Sequence, residues 1–121
     1  MTGRMDERLS AVTDQLAGAV RDQYEDRDPA HEDFSTWGWA LTELLDRADQ
    51  VMSVLERQVG HYGDRRILRD DHGADPTARL AEITACLSAT RTALGPARDR
   101  VREYHSAVSH IGVEVDPEAT P

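Results

Sequence analysis

The apolar residues Trp37, Leu41, Leu44, Ala48, Val51, Leu55, Val59 and Tyr62 follow one another by alternating threes and fours. At that period the stripe winds with a neighbouring helix instead of drifting around its own cylinder. The spacing predicts a helix over about residues 36–62, roughly 40 Å long at 1.5 Å per residue. A second stripe of the same period, Leu80, Ile83, Leu87, Thr90, Leu94, Ala97, Val101, Tyr104 and Val108, predicts a helix over about 76–111. A leaner one, Met5, Leu9, Val12, Leu16, Ala19 and Val20, predicts a helix over about 4–27, weakened by Gly18. The fold class that follows is all-α: an antiparallel bundle of three long helices, with coiled-coil-like pairing of the last two. One helical-bundle domain over 1–111 is expected, followed by a disordered tail over 112–121.

Local chemistry sets the expected boundaries. Pro29 lies in the acid-rich stretch Glu25–Asp33 and cannot continue a helix, so that stretch reads as the first connection. Ser35 or Thr36 then offers an N-cap oxygen, with Phe34 as a hydrophobic staple. Gly60 and Gly63 suit a helix end, and residues 63–75 form a long second connection. Asp75 followed by Pro76 is a well-formed helix start. The third stripe keeps its phase across Gly95 and Pro96, and Pro96 falls on the side away from it, which predicts one kinked helix. A break at Gly95 into two helices, giving four in all, is the alternative.

Composition narrows the function classes. The chain has 121 residues, a formal net charge of -9, and Arg as its only strongly basic residue. That charge repels phosphate backbones and argues against direct nucleic-acid binding. Arg without Lys is an actinobacterial-like, GC-rich composition. A single cysteine, Cys86, excludes an internal disulfide framework and reads as a part-buried core residue. No apolar run reaches the roughly 18 residues a membrane span needs, and the N-terminal charges interrupt any signal-peptide core, so a cytoplasmic location is expected.

Few residues are arranged for chemistry. The acidic pairs Glu25-x-x-Asp28 and Glu43-x-x-Asp46 resemble the paired carboxylates with which some all-α nucleotide pyrophosphohydrolases hold magnesium, and the resemblance implies those four acids as metal ligands. The glutamate run that precedes the first motif in that family is absent here. Tyr24-x-x-x-Asp28 and Trp37-Gly38 resemble the signal and turn motifs of small helical-hairpin proteins exported by actinobacterial type VII systems, in reversed order and without the residue between Trp and Gly. His31, His61, His72, His105 and His110 lack the four-residue spacing that brings two imidazoles to one ion. Cys86 has no nucleophile signature, and no glycine-rich phosphate loop occurs.

Two surfaces stand out instead. Trp39 is nearly opposite Trp37 on the second helix, so one core cannot use both; it is either an anchor for a partner or, with a later helix start, packed over the first connection or against the first helix. Arg65, Arg66 and Arg69 surround Ile67 and Leu68, the one basic cluster in an acidic chain. The expected function is a small acidic protein-interaction module, a homodimer that also binds an unidentified protein. It is expected to be non-catalytic, with no cofactor, no metal, no direct nucleic acid and no membrane. The alternatives are the metal-dependent pyrophosphohydrolase-like enzyme and an acidic DNA mimic.

Overall fold

A computed structural model of the chain describes residues 4–112 and Glu114. Those residues form three α-helices, α1 (Arg4–Glu25), α2 (His31–Gly60) and α3 (Pro76–Ser109), with a 3-10 turn at Tyr62–Arg65 and no strand. The chain is all-α, as the periodicity predicts. Apart from Gly112 and Glu114, the expected disordered tail lies outside the described residues.

The chain divides into two compact units, Met1–Ala30 and His31–Pro121. In the first, α1 opens with Asp6 and Glu7, whose charges oppose the positive end of the helix dipole. Its stripe residues Leu9, Val12, Leu16 and Val20 are all exposed, and Tyr24 at its end is 90 % exposed.

In the second unit α2 and α3 pack closely as an antiparallel hairpin. Gly38 near the start of α2 meets Tyr104 and His105 near the end of α3, while Arg91 in mid-α3 reaches Asp49 and Glu56. α2 begins at His31, about a turn before the Ser35 or Thr36 cap that the sequence suggests, and both residues lie inside it. The acids Glu32 and Asp33 occupy its first turn, where carboxylates favour the helix dipole. Acid density that reads as a loop signal is here a helix-start signal, and the connection shortens to residues 26–30. Trp37 and Gly38 therefore stand in a helix and not in a turn.

α3 starts where its cap predicts. The Asp75 carboxylate accepts from the Thr77 amide at 3.1 Å, and Pro76 fills the first turn. The helix runs unbroken through Pro96 to Ser109, so the four-helix alternative is not adopted. Pro96 is exposed, which leaves the hydrogen bond it cannot make on the solvent side.

Candidate interaction surfaces

The line along which α2 meets α3 is displaced from the apolar stripes. Gly38, Asp49 and Glu56 touch α3, and Leu45 and Met52 complete their three-and-four spacing. The stripe of Trp37, Leu41, Leu44, Ala48, Val51 and Leu55 borders that line one residue, or about 100°, to one side. On α3 the contact line carries Leu80, Arg91, Arg98 and His105. Leu87 and Leu94 share its spacing, while Ile83, Thr90, Ala97 and Tyr104 fall beside it.

Gly38 shows what that alignment requires. A Cβ there would sit 3.0 Å from Tyr104 Cε1 and 3.1 Å from His105 Cβ, so only glycine permits this approach of the two backbones. It is the one buried residue among those described. The Tyr104 hydroxyl donates to the Phe34 carbonyl at 3.0 Å, and the Phe34 and Trp37 rings meet edge to face at 5.5 Å.

An ion-pair ladder runs along the contact line and opens towards one rim of the hairpin. Arg91 donates from Nε to Asp49 at 3.1 Å and from Nη1 to Glu56 at 2.8 Å. Arg98 lies 3.5 Å from both Asp46 and Asp49. The Glu56 and then the Asp49 hydrogen bonds raise the Arg91 pKa above its ordinary value. Asp49 and Glu56 are seven residues apart, as are Arg91 and Arg98, so a slip by one heptad would unpair a charge. Beside this ladder Trp39 is 62 % exposed, with its ring 6.5 Å from that of His105. The later helix start that would have tucked Trp39 away does not occur, and it projects from within α2.

The opposite rim is apolar and open. Phe34 and Leu41 on α2 and Ile83 and Tyr104 on α3 are between 37 % and 44 % exposed. Among the described residues no apolar side chain is buried. Cys86, expected to be part-buried, is exposed as well. It stands one turn from Ile83, so the uncharged surface of α3 continues past the rim.

The hairpin tip holds the basic cluster. Arg65, Arg66, Ile67 and Arg69 are exposed, Ile67 fully so at 103 %. Leu68 turns inward, its Cδ1 near Gly63 beside that of Leu80. Arg66 lies 4.5 Å over the Tyr62 ring and donates to the Tyr62 carbonyl at 3.3 Å. The far side of the loop is fastened by Asp70, whose side chain is only 7 % exposed. Its carboxylate accepts from Arg79 Nε at 2.7 Å and from the amides of His72 and Ala74 at 2.9 and 3.2 Å. The Arg79 hydrogen bond, opposed by desolvation and helped by the two amides, lowers the Asp70 pKa to about 2. Gly73 allows the tight return with φ of 80°.

The acids of the metal alternative are dispersed. Glu25 ends α1, Asp28 donates its own amide to Asp26 at 3.1 Å, and Glu43 and Asp46 lie on α2, with Asp46 engaged by Arg98. Among the described residues no group of three or more His, Cys, Asp or Glu side chains is placed to hold a metal ion. His61 is paired with Asp64 at 3.0 Å. An open groove of about 480 Å³ between Gly60, Leu80, Ala81, Ala85 and Ser88 has Glu56 as its only charged lining residue, already tied to Arg91. None of the described helices is long and apolar enough to cross a membrane.

No family model, no curated protein and no solved structure matches the chain.

Proposed function

We propose that the chain is a non-catalytic interaction module that self-associates through the apolar rim of its α2–α3 hairpin. The observation that carries this reading is the exposure of Phe34, Leu41, Ile83 and Tyr104 along one side of a hairpin in which no described apolar side chain is buried. Apolar surface left in water costs roughly 25 cal/mol per Å², and a matching surface on a second copy removes that cost. The face is about 45 Å long and about 20 Å wide from helix dimensions alone, near 900 Å². A standard protein interface takes about 800 Å² from each partner. Two identical rims related by a two-fold axis form a closed contact, which makes a homodimeric four-helix core the simplest assembly. The ladder of Arg91 and Arg98, on the α2–α3 contact line, takes no part in that contact. Trp39 and the Arg65–Arg69 loop, neither of them on the apolar rim, remain free to engage a further protein.

Light scattering coupled to size exclusion tests the reading. At about 1 M NaCl, where charge contacts are screened, the wild type is expected to run as a dimer at concentrations on the order of tens of micromolar, well above a micromolar dissociation constant. Leu41→Glu combined with Ile83→Glu should give a helical monomer, because each carboxylate would be desolvated at the rim. A wild-type monomer at those concentrations, or a double variant that stays dimeric, would sink the proposal.

A further inference from the structure

The tip loop and the segment after α1 are complementary in charge and in shape of side chain, and each is open. At the tip, Arg65, Arg66 and Arg69 make no ion pair with a described residue and flank the fully exposed Ile67. Of the carboxylates nearest in sequence Asp70 is held by Arg79, while Asp64, hydrogen-bonded to His61, and Asp71 leave the three arginines in excess. The loop is also held in place, by Arg66 on Tyr62 at one end, Leu68 turned inward in the middle and the Asp70 clamp at the other. Little ordering entropy is therefore lost when it binds.

The segment Tyr24–Asp28 presents the opposite chemistry. Tyr24 is 90 % exposed, and the three carboxylates Glu25, Asp26 and Asp28 outnumber the one Arg27 among them, all exposed and without an ion pair to a described residue. Guanidinium groups pair with carboxylates in forked geometry, and Arg also packs on aromatic faces, so Tyr24 offers a site for either Ile67 or an arginine. A free phosphate or a nucleic-acid backbone would satisfy the arginines and leave Ile67 in water.

We infer that the Arg65–Arg69 loop of one copy docks on the Tyr24–Asp28 segment of a second copy. The contact joins two different surfaces, so it is heterologous and extends an assembly instead of closing it. It is also electrostatic where the apolar-rim contact is not, and the two respond oppositely to salt. Raising the ionic strength shortens the Debye length from about 10 Å at 0.1 M to about 3 Å at 1 M, which weakens the tip contact. The same change screens the mutual repulsion of chains of net charge -9 and so favours apolar association.

Sedimentation velocity on the full chain at about 0.1 M and about 1 M NaCl separates the two. At the lower salt the wild type is expected to grow with concentration beyond its base unit, whether that unit is a monomer or a dimer, with no fixed upper mass, because the contact does not close. The triple variant Arg65→Glu, Arg66→Glu, Arg69→Glu should lose the growth at both salts and keep the base unit. So should Glu25→Arg, Asp26→Arg, Asp28→Arg, and combining the two charge reversals should restore it. Growth that is independent of salt, growth that survives in the first triple variant, or failure of the combined variant to recover would overturn the inference. Failure of the apolar-rim dimer shows instead as a monomeric base unit at high salt, so the two proposals fall separately.

Discussion

Adding one methyl group at Gly38 tests the hairpin geometry most sharply. In a helix interior Gly→Ala normally stabilises by about 1 kcal/mol. At position 38 the new Cβ would lie 3.0 and 3.1 Å from two ring carbons of Tyr104 and 3.1 Å from His105 Cβ. Carbon atoms prefer about 3.5–4.0 Å, so each contact must open by several tenths of an ångström. Tyr104 can move its ring, at the expense of its hydrogen bond to the Phe34 carbonyl, worth about 1 kcal/mol. His105 Cβ is fixed to the α3 backbone, so that contact opens only if the helices separate, and such overpacking costs about 1–3 kcal/mol. The sum is a net loss of about 1–3 kcal/mol. Gly60→Ala is the matched control: it ends the same helix, its φ is not positive, and nothing lies within 4 Å of the added carbon. It should gain up to about 1 kcal/mol. The two variants, melted by circular dichroism at equal concentration, should differ by about 2 kcal/mol, or about 10 °C in midpoint. A Gly38→Ala protein that melts at or above the wild type would refute the close approach of α2 to α3.

Other consequences are direct. Asp70→Asn removes the charge and one of the two acceptor oxygens that fasten the tip loop, so trypsin should cut after Arg66 and Arg69 faster than in the wild type while the helical signal stays unchanged; equal rates would mean that the clamp does not order the loop. The pKa of Asp70 is lowered in the fold from 3.8 to about 2, so its contribution is complete above the unfolded value and disappears as pH falls through the folded one. The Ala74 amide resonance should accordingly titrate near pH 2, and a midpoint near the unfolded value would count against the clamp. Arg91→Ala leaves Glu56 without its cation and Asp49 with Arg98 alone, and should lower the melting midpoint more than Arg100→Ala. Arg100 pairs only with Glu103 on its own exposed helix face. Equal shifts would show that the ladder contributes no more than a surface pair.

Legibility in the sequence followed the range of the interaction. The start of α3 depends on neighbouring residues, Asp75, Pro76 and Thr77, and it was readable to the residue. The start of α2 also depends on local residues, but Glu32 and Asp33 suit a solvated loop and a first helical turn equally, and the turn was misplaced. The stripes were readable as stripes, whereas the direction from which the partner helix approaches was not. Apolar periodicity records where water is excluded or ought to be, and it does not say by which neighbour. The signal that could have corrected the phase is the shared seven-residue spacing of Asp49 with Glu56 and of Arg91 with Arg98. It becomes a pairing only once the helices are set antiparallel. The Asp70–Arg79 clamp had no such signal, because it depends on the path the loop takes around Gly73.

The displaced phase also links the inside of the hairpin to its outside. Gly38, Asp49 and Glu56 on α2 and Arg91 and Arg98 on α3 occupy positions that a conventional seam would give to Leu or Val. Glycine there draws the backbones together, and opposite charges at matched spacing set orientation and register. Leu45, Leu80, Leu87 and Leu94 share the contact line, while Phe34, Leu41, Ile83 and Tyr104 stand exposed on one rim. Replacing Asp49 and Arg91 together by Leu would supply the contact line with apolar side chains and leave Phe34, Leu41, Ile83 and Tyr104 exposed. Such a variant should fold with a less specific register and, on the proposed rim contact, still associate, whereas Leu41→Glu with Ile83→Glu should abolish the rim contact and leave the register intact. If both changes weakened association through loss of helicity, register and assembly would not be separable functions of the two rims.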